Sequence, residues 1–80
     1  MKINIPHKNK NIIGERLRNC RKIQKVTQEE LASRLQSRGL TLDRTAISKI
    51  ERGDRLVPDY ELLIIADSLN VDVKWLLLGD

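Results

Sequence analysis

Eighty residues leave room for one domain and one modest core, and a composition of 40% apolar but only 2% aromatic residues makes that core aliphatic. A single cysteine excludes an internal disulfide, and with His7 the only histidine a four-ligand Cys/His metal site is out of reach. The net charge of +4 conceals a segregation: residues 1–55 hold fourteen of the fifteen Lys and Arg against six acids, while residues 56–80 set Lys74 against five acids. Such a distribution suits a polyanion approaching from one side.

In chain order, residues 1–10 carry no apolar period and are expected to form a flexible basic arm, in which Lys2, Lys8 and Lys10 could reach a nucleic-acid groove and His7 is simply solvated. MKINIPHKNKN lacks the uninterrupted apolar stretch of a secretory signal, and no run approaches the ~18 residues of a membrane helix, which predicts a cytoplasmic protein without membrane contact. From Asn11, a plausible cap, the apolar residues Ile13, Leu17 and Cys20 fall at i, i+4 and i+7 and predict a first helix to about Gln24, with Cys20 in the core. Thr27 and Glu30 have the spacing of a capping box and open a second helix, with Leu31, Ala32 and Leu35 inward and a stop near Gly39. Leu40 and Leu42 alternate around Thr41, as in an extended connector plugged into the core. Asp43 caps a third helix, with Ile47 and Ile50 inward and Gly53 at its end. Pro58, Asp59 and Glu61 suit the first turn of a fourth helix burying Leu62, Ile65, Ala66 and Leu69. Asp72 caps a short last helix with Trp75, Leu76 and Leu77. No strand signal competes.

Two short helices joined between Thr27 and Gly53, the second with small and basic residues on one face, have the layout of a helix-turn-helix, whose second helix enters the DNA major groove. IGERLRNCRKIQKVTQEELASRL, then TAISKIERG, then LLIIADSLNVDVKWLL closely resembles the Cro/phage-repressor-type (Xre-like) helix-turn-helix family over roughly residues 12–78. The resemblance implies an all-α fold: a compact five-helix lambda-repressor-like DNA-binding domain over residues 11–80, its helix-turn-helix carrying an extended connector. It also implies transcriptional regulation, usually repression, by a dimer on a two-fold symmetric operator in double-stranded DNA. No cofactor is implied.

Carried over from the family, Arg44, Thr45, Ala46, Ser48 and Lys49 would read bases. Arg44 and Lys49 can donate to guanine O6/N7, Thr45 can bond a base or touch a thymine methyl, and Ala46 can pack on that methyl. Thr27, Gln28, Arg52 and Arg55 would hold the DNA backbone, with Gln28 also bracing the reading helix. Arg21 and Glu51 would form a partly buried ion pair joining the first helix to the end of the third. The sequence departs from the family in three places. The connector SRLQSRGLTLDRT is longer than the usual turn. Lys25 stands where glycine is common. Leu56 and Asp59 replace polar or basic residues, which should thin out phosphate contacts near the fourth helix.

Trp75, Leu76, Leu77 and Leu78 form an apolar cluster that one helical turn cannot bury entirely. At least one of them, Leu78 or Trp75, is expected to be exposed, and Trp75, Leu77 and Leu78 are assigned to a dimer seam, paired off DNA or only on it. The alternative function is an antitoxin that binds a toxin protein and autoregulates its operon; an antirepressor is another possible protein partner. An enzyme is least supported: the four glycines, at 14, 39, 53 and 79, make no phosphate-cradling loop, and no acid/base pair is visible.

Overall fold

A computed structural model describes residues 9–80, so Lys2, His7 and Lys8 of the expected arm lie outside the described residues. The described residues fold into five helices without a strand: α1 Gly14–Ile23, α2 Gln28–Ser37, α3 Arg44–Glu51, α4 Asp59–Ser68 and α5 Val73–Leu78. None is long and apolar enough to cross a membrane.

Local chemistry accounts for most of the boundaries. The Asn11 side-chain oxygen accepts from the amides of Ile13 (3.1 Å) and Gly14 (2.9 Å), so the cap acts through its carboxamide and α1 begins three residues later than Asn11. Thr27 and Glu30 close the capping box: the Glu30 amide donates to Thr27 Oγ1 (3.0 Å) and the Thr27 amide to Glu30 Oε1 (3.2 Å). Gly39, at φ 87°, lets the Leu40 amide reach back to the Leu35 carbonyl (3.0 Å), and the chain leaves α2 with Leu40 and Leu42 both driven into the core. Asp43 then caps α3 by accepting from the Ala46 amide (2.8 Å), and Asp72 caps α5 by accepting from the Lys74 amide (2.8 Å).

The core is aliphatic, as the composition requires. Leu17 of α1, Leu31 and Leu35 of α2, Ile47 and Ile50 of α3, Ile65 and Leu69 around α4, and Leu76 of α5 are fully buried. Leu62, expected inward, packs against the core but is only half buried, near the amino end of α4, where Ile65, Ala66 and Leu69 further along the same side are fully covered. Cys20 lies in the core, where burial pushes its thiol pKa up and a bond from Gln24 opposes that shift. The half made of α1 to α3 is tied to the α4–α5 half by donors that grip main-chain oxygens. Arg16 reaches the carbonyls of Leu76 (3.4 Å) and Leu77 (3.3 Å), Gln24 that of Leu69 (2.8 Å), and Arg34 that of Ser68 (3.2 Å). These are the unsatisfied ends of α4 and α5, where positive charge is also favourable.

Candidate nucleic-acid interface

α3 packs on both α1 and α2 through Ile47 and Ile50, which leaves its other side to solvent. Arg44, Thr45 and Lys49 are exposed there, with Ser48 half buried between them. Ala46 is different: it is half buried and packed against the core, so little of its methyl faces outward. The charged side chains carry only loose partners. Arg44 lies 3.6 Å from Glu29 of α2, with both side chains at least 70% exposed, a pair worth about 0–1 kcal/mol. Arg52 donates to Ser48 Oγ (3.0 Å) and to Asp54 (3.2 Å), again in solvent. Such contacts yield readily to a phosphate or a base edge.

The seat of α3 is rigid by contrast. Arg21 grips Glu51 with two bonds, Nε to Oε2 at 2.7 Å and Nη2 to Oε1 at 3.0 Å, at side-chain exposures of 10% and 4%. Glu51 raises the Arg21 pKa, against the effect of burial, so the guanidinium stays charged at every ordinary pH. A third guanidinium bond reaches the Val26 carbonyl (2.9 Å), and Gln28 at the start of α2 also donates to Glu51 Oε1 (3.1 Å). Gln28 thus touches the last residue of α3. The pair fastens α1, α2 and α3 together at one point.

Asn11 and Gly14 complete this seat, and the sequence had marked neither for it. Asn11 Nδ2 donates to the carbonyls of Ile50 (3.0 Å) and Arg55 (2.9 Å), clasping the chain on both sides of the turn after α3. A Cβ at Gly14 would collide with the Ile50 carbonyl oxygen and stand 2.9 Å from that of Glu51. The backbones of α1 and α3 meet there because there is no side chain between them. A glycine in the first turn of an otherwise regular helical pattern was the available signal. Beside it, the Lys10 amide donates to the Gly53 carbonyl (2.8 Å), so the chain enters the domain against the end of α3.

Of the four residues expected to hold the backbone, Thr27 and Arg52 are exposed, whereas Arg55 is engaged internally. Its guanidinium makes two bonds to Glu61, at 2.6 and 3.3 Å; the Glu61 side chain is 6% exposed and Arg55 29%. Glu61 raises the Arg55 pKa in turn. Glu61 had been read only as a dipole-favouring residue of α4, and a carboxylate this buried needs such a partner. On α5, Leu76 is fully buried and Trp75, Leu77 and Leu78 are half buried, so the expected exposure of Leu78 or Trp75 is not met: the short helix packs against α4 and has Arg16 of α1 on its last carbonyls. Trp75 and Leu77 pack against the core. Among the described residues, the large apolar side chains in solvent are Ile23, Leu56, Tyr60 and Leu63.

Comparison with known proteins agrees with this geometry. Residues 14–80 match the model of a helix-turn-helix domain family. The chain is 40% identical over 70 residues to a protein of Bacillus subtilis (strain 168) named an uncharacterized HTH-type transcriptional regulator, YqaE; the match takes in 86% of this chain and 55% of that protein's length. Among solved structures it resembles the restriction-modification controller protein C.AhdI from Aeromonas hydrophila, with a TM-score of 0.70, 33% identity, and coverage of 80% of this chain and 86% of that one. It also resembles the P22 c2 repressor, solved in complex with a synthetic operator, with a TM-score of 0.73, 30% identity, and coverage of 88% and 98%. The match runs through all five helices and the connector, and on it the chain belongs to the helix-turn-helix domain family.

Proposed function

We propose that this chain is a sequence-specific transcriptional regulator that binds double-stranded DNA, acting in the cytoplasm as a repressor dimer on a two-fold symmetric operator. The observation that carries the reading is α3 itself: a short helix whose exposed side bears Arg44, Thr45, Ser48 and Lys49, held at a fixed angle by the Arg21–Glu51 pair. Relatives named as a transcriptional regulator and as an operator-bound repressor support it. Arg44 and Lys49 read base edges, with Thr45 and Ser48 as adaptable hydroxyls and Ala46 a minor apolar contact. Thr27, Gln28 and Arg52 hold phosphates and set the register. Arg55 braces the loop between α3 and α4 through Glu61.

The test starts with selection of a preferred duplex from a random pool, followed by binding of variants to that duplex and to unselected DNA. Arg44→Ala and Lys49→Ala should each cost about 1–3 kcal/mol on the selected site and little on unselected sequence. Arg52→Ala should weaken both by a similar factor. Equal losses on every sequence would refute the division between reading and anchoring, and no enrichment at all would refute the function.

A further inference from the structure

The chain has eight arginines, and the guanidinium groups of seven have a partner within the chain, a main-chain carbonyl for Arg16 and Arg34 and a side chain for the other five, from the Arg21–Glu51 pair to the loose contact of Arg44 with Glu29. Arg18 is the one arginine whose side chain makes neither a hydrogen bond nor an ion pair among the described residues, and it is exposed on α1. Its place is specific. Arg18 is four residues after Gly14, whose backbone abuts the last carbonyls of α3, and three before Arg21, which grips Glu51. That spacing puts it on the side of α1 bordering the reading helix.

Lys22 extends the same stripe at i+4, and Lys25 follows in the turn just past the end of α1. Both are exposed, and neither side chain has a partner among the described residues. Lys25 also stands at φ 59°, in the left-handed region that disfavours every residue with a side chain other than Asn or Asp. The other such position, φ 55°, is held by Asn70, which tolerates it. A glycine at 25 would relieve the strain, so the chain keeps a lysine there at a cost. Lys25 leads directly into Val26, whose carbonyl is bonded to Arg21, and Thr27, the cap of α2. The stripe therefore runs from the α1–α3 contact to the amino end of α2.

We infer that Arg18, Lys22 and Lys25 form a further anchoring surface for the phosphodiester backbone of duplex DNA, continuing the phosphate path from the start of α2 along α1. The inference rests on the DNA-binding reading above and adds residues that the resemblance did not assign. Each lysine or arginine that neutralises a phosphate releases condensed counterions, so its removal lowers the salt dependence of binding by about 0.9 in the slope of log K against log salt.

The experiment measures binding of the full chain to a duplex of random sequence across a salt series, with thermal melting of each variant. Arg18→Ala and Lys22→Ala should each reduce the slope by about 0.9 with an unchanged melting temperature. Lys25→Gly should reduce the slope by the same amount while shifting the melting temperature upward, a combination that loss of structure cannot produce. Lys74→Ala removes a charge from α5, in the acidic half, and should leave the slope unchanged; an equal drop there would mean that net charge alone is responsible and would overturn the inference. Parental slopes in all three stripe variants would overturn it too, while leaving the DNA-binding reading intact. A parent whose affinity does not depend on salt would remove both.

Discussion

Gly14 shows how far one missing side chain can reach. Placing a Cβ there drives it into the end of α3, so Gly14→Ala should cost about 1–3 kcal/mol in a denaturant titration, as overpacking does, although alanine is the better helix former. A variant as stable as the parent would mean that α1 and α3 can separate freely. Arg55 provides the complementary case. Arg55→Ala strands a buried Glu61 carboxylate, so about 1–3 kcal/mol of stability should be lost while the salt dependence of DNA binding stays at the parental value. A slope reduced by about 0.9 would instead make Arg55 a phosphate contact. Neither role was legible in the sequence. The approach of two backbones at Gly14 and the burial of Glu61 are properties of the packed chain, and residue spacing reports only what lies within a few residues. The likeness of IGERLRNCRKIQ and SKIERG to a known family did point to Arg21 and Glu51 as partners, because that information came from outside the chain's own periodicity.

The helices themselves were legible, since what starts and stops them is local. Thr27, Asp43 and Asp72 cap the helices that follow them, Gly39 and Gly53 take left-handed conformations just past α2 and α3, and the apolar spacing fixes the inward faces. The orientation of α4 was less legible: its five consecutive residues from Leu62 to Ala66 are all apolar, so periodicity alone could not say that Leu62 is half buried and Leu63 exposed. The capping box of α2 leads to a pH dependence. The Glu30 carboxyl is held below its ordinary value, chiefly by the bond from the Thr27 amide. Because its pKa is lower folded than unfolded, the stabilisation is fully present above the unfolded value and is lost as pH falls through the folded one. Glu30→Gln can still accept from Thr27 but does not titrate. Its melting temperature should fall short of the parent's at neutral pH, and the gap should close on the acid side of the carboxylate range. A gap constant from neutral to acid would remove Glu30 from the acid response.

At the scale of the molecule, one reading helix covers too few base pairs to select a site in a genome, and a second half-site about 34 Å away would supply the missing discrimination. The proposed seam is Trp75, Leu77 and Leu78, and Leu78 is the sharpest probe of it, half buried but not packed into the core as Trp75 and Leu77 are. Leu78→Glu should retain non-specific DNA binding, lose cooperative binding to a two-fold symmetric duplex, and lower the melting temperature slightly because of its partial burial. Cooperative binding at the parental level would move the seam elsewhere, and exposed Tyr60 and Leu63 on α4 would be the next positions to change. Whichever surface pairs, the two halves of the domain are joined in a way that bears on how such a chain can diverge. Arg16, Gln24 and Arg34 take hold of carbonyl oxygens at residues 68, 69, 76 and 77, and every amino acid supplies that atom. Substitutions along the outer side of α4 and α5 therefore leave these joints in place. Descendants of one ancestral sequence can acquire new pairing partners through that side while the geometry that addresses the genome is inherited unchanged.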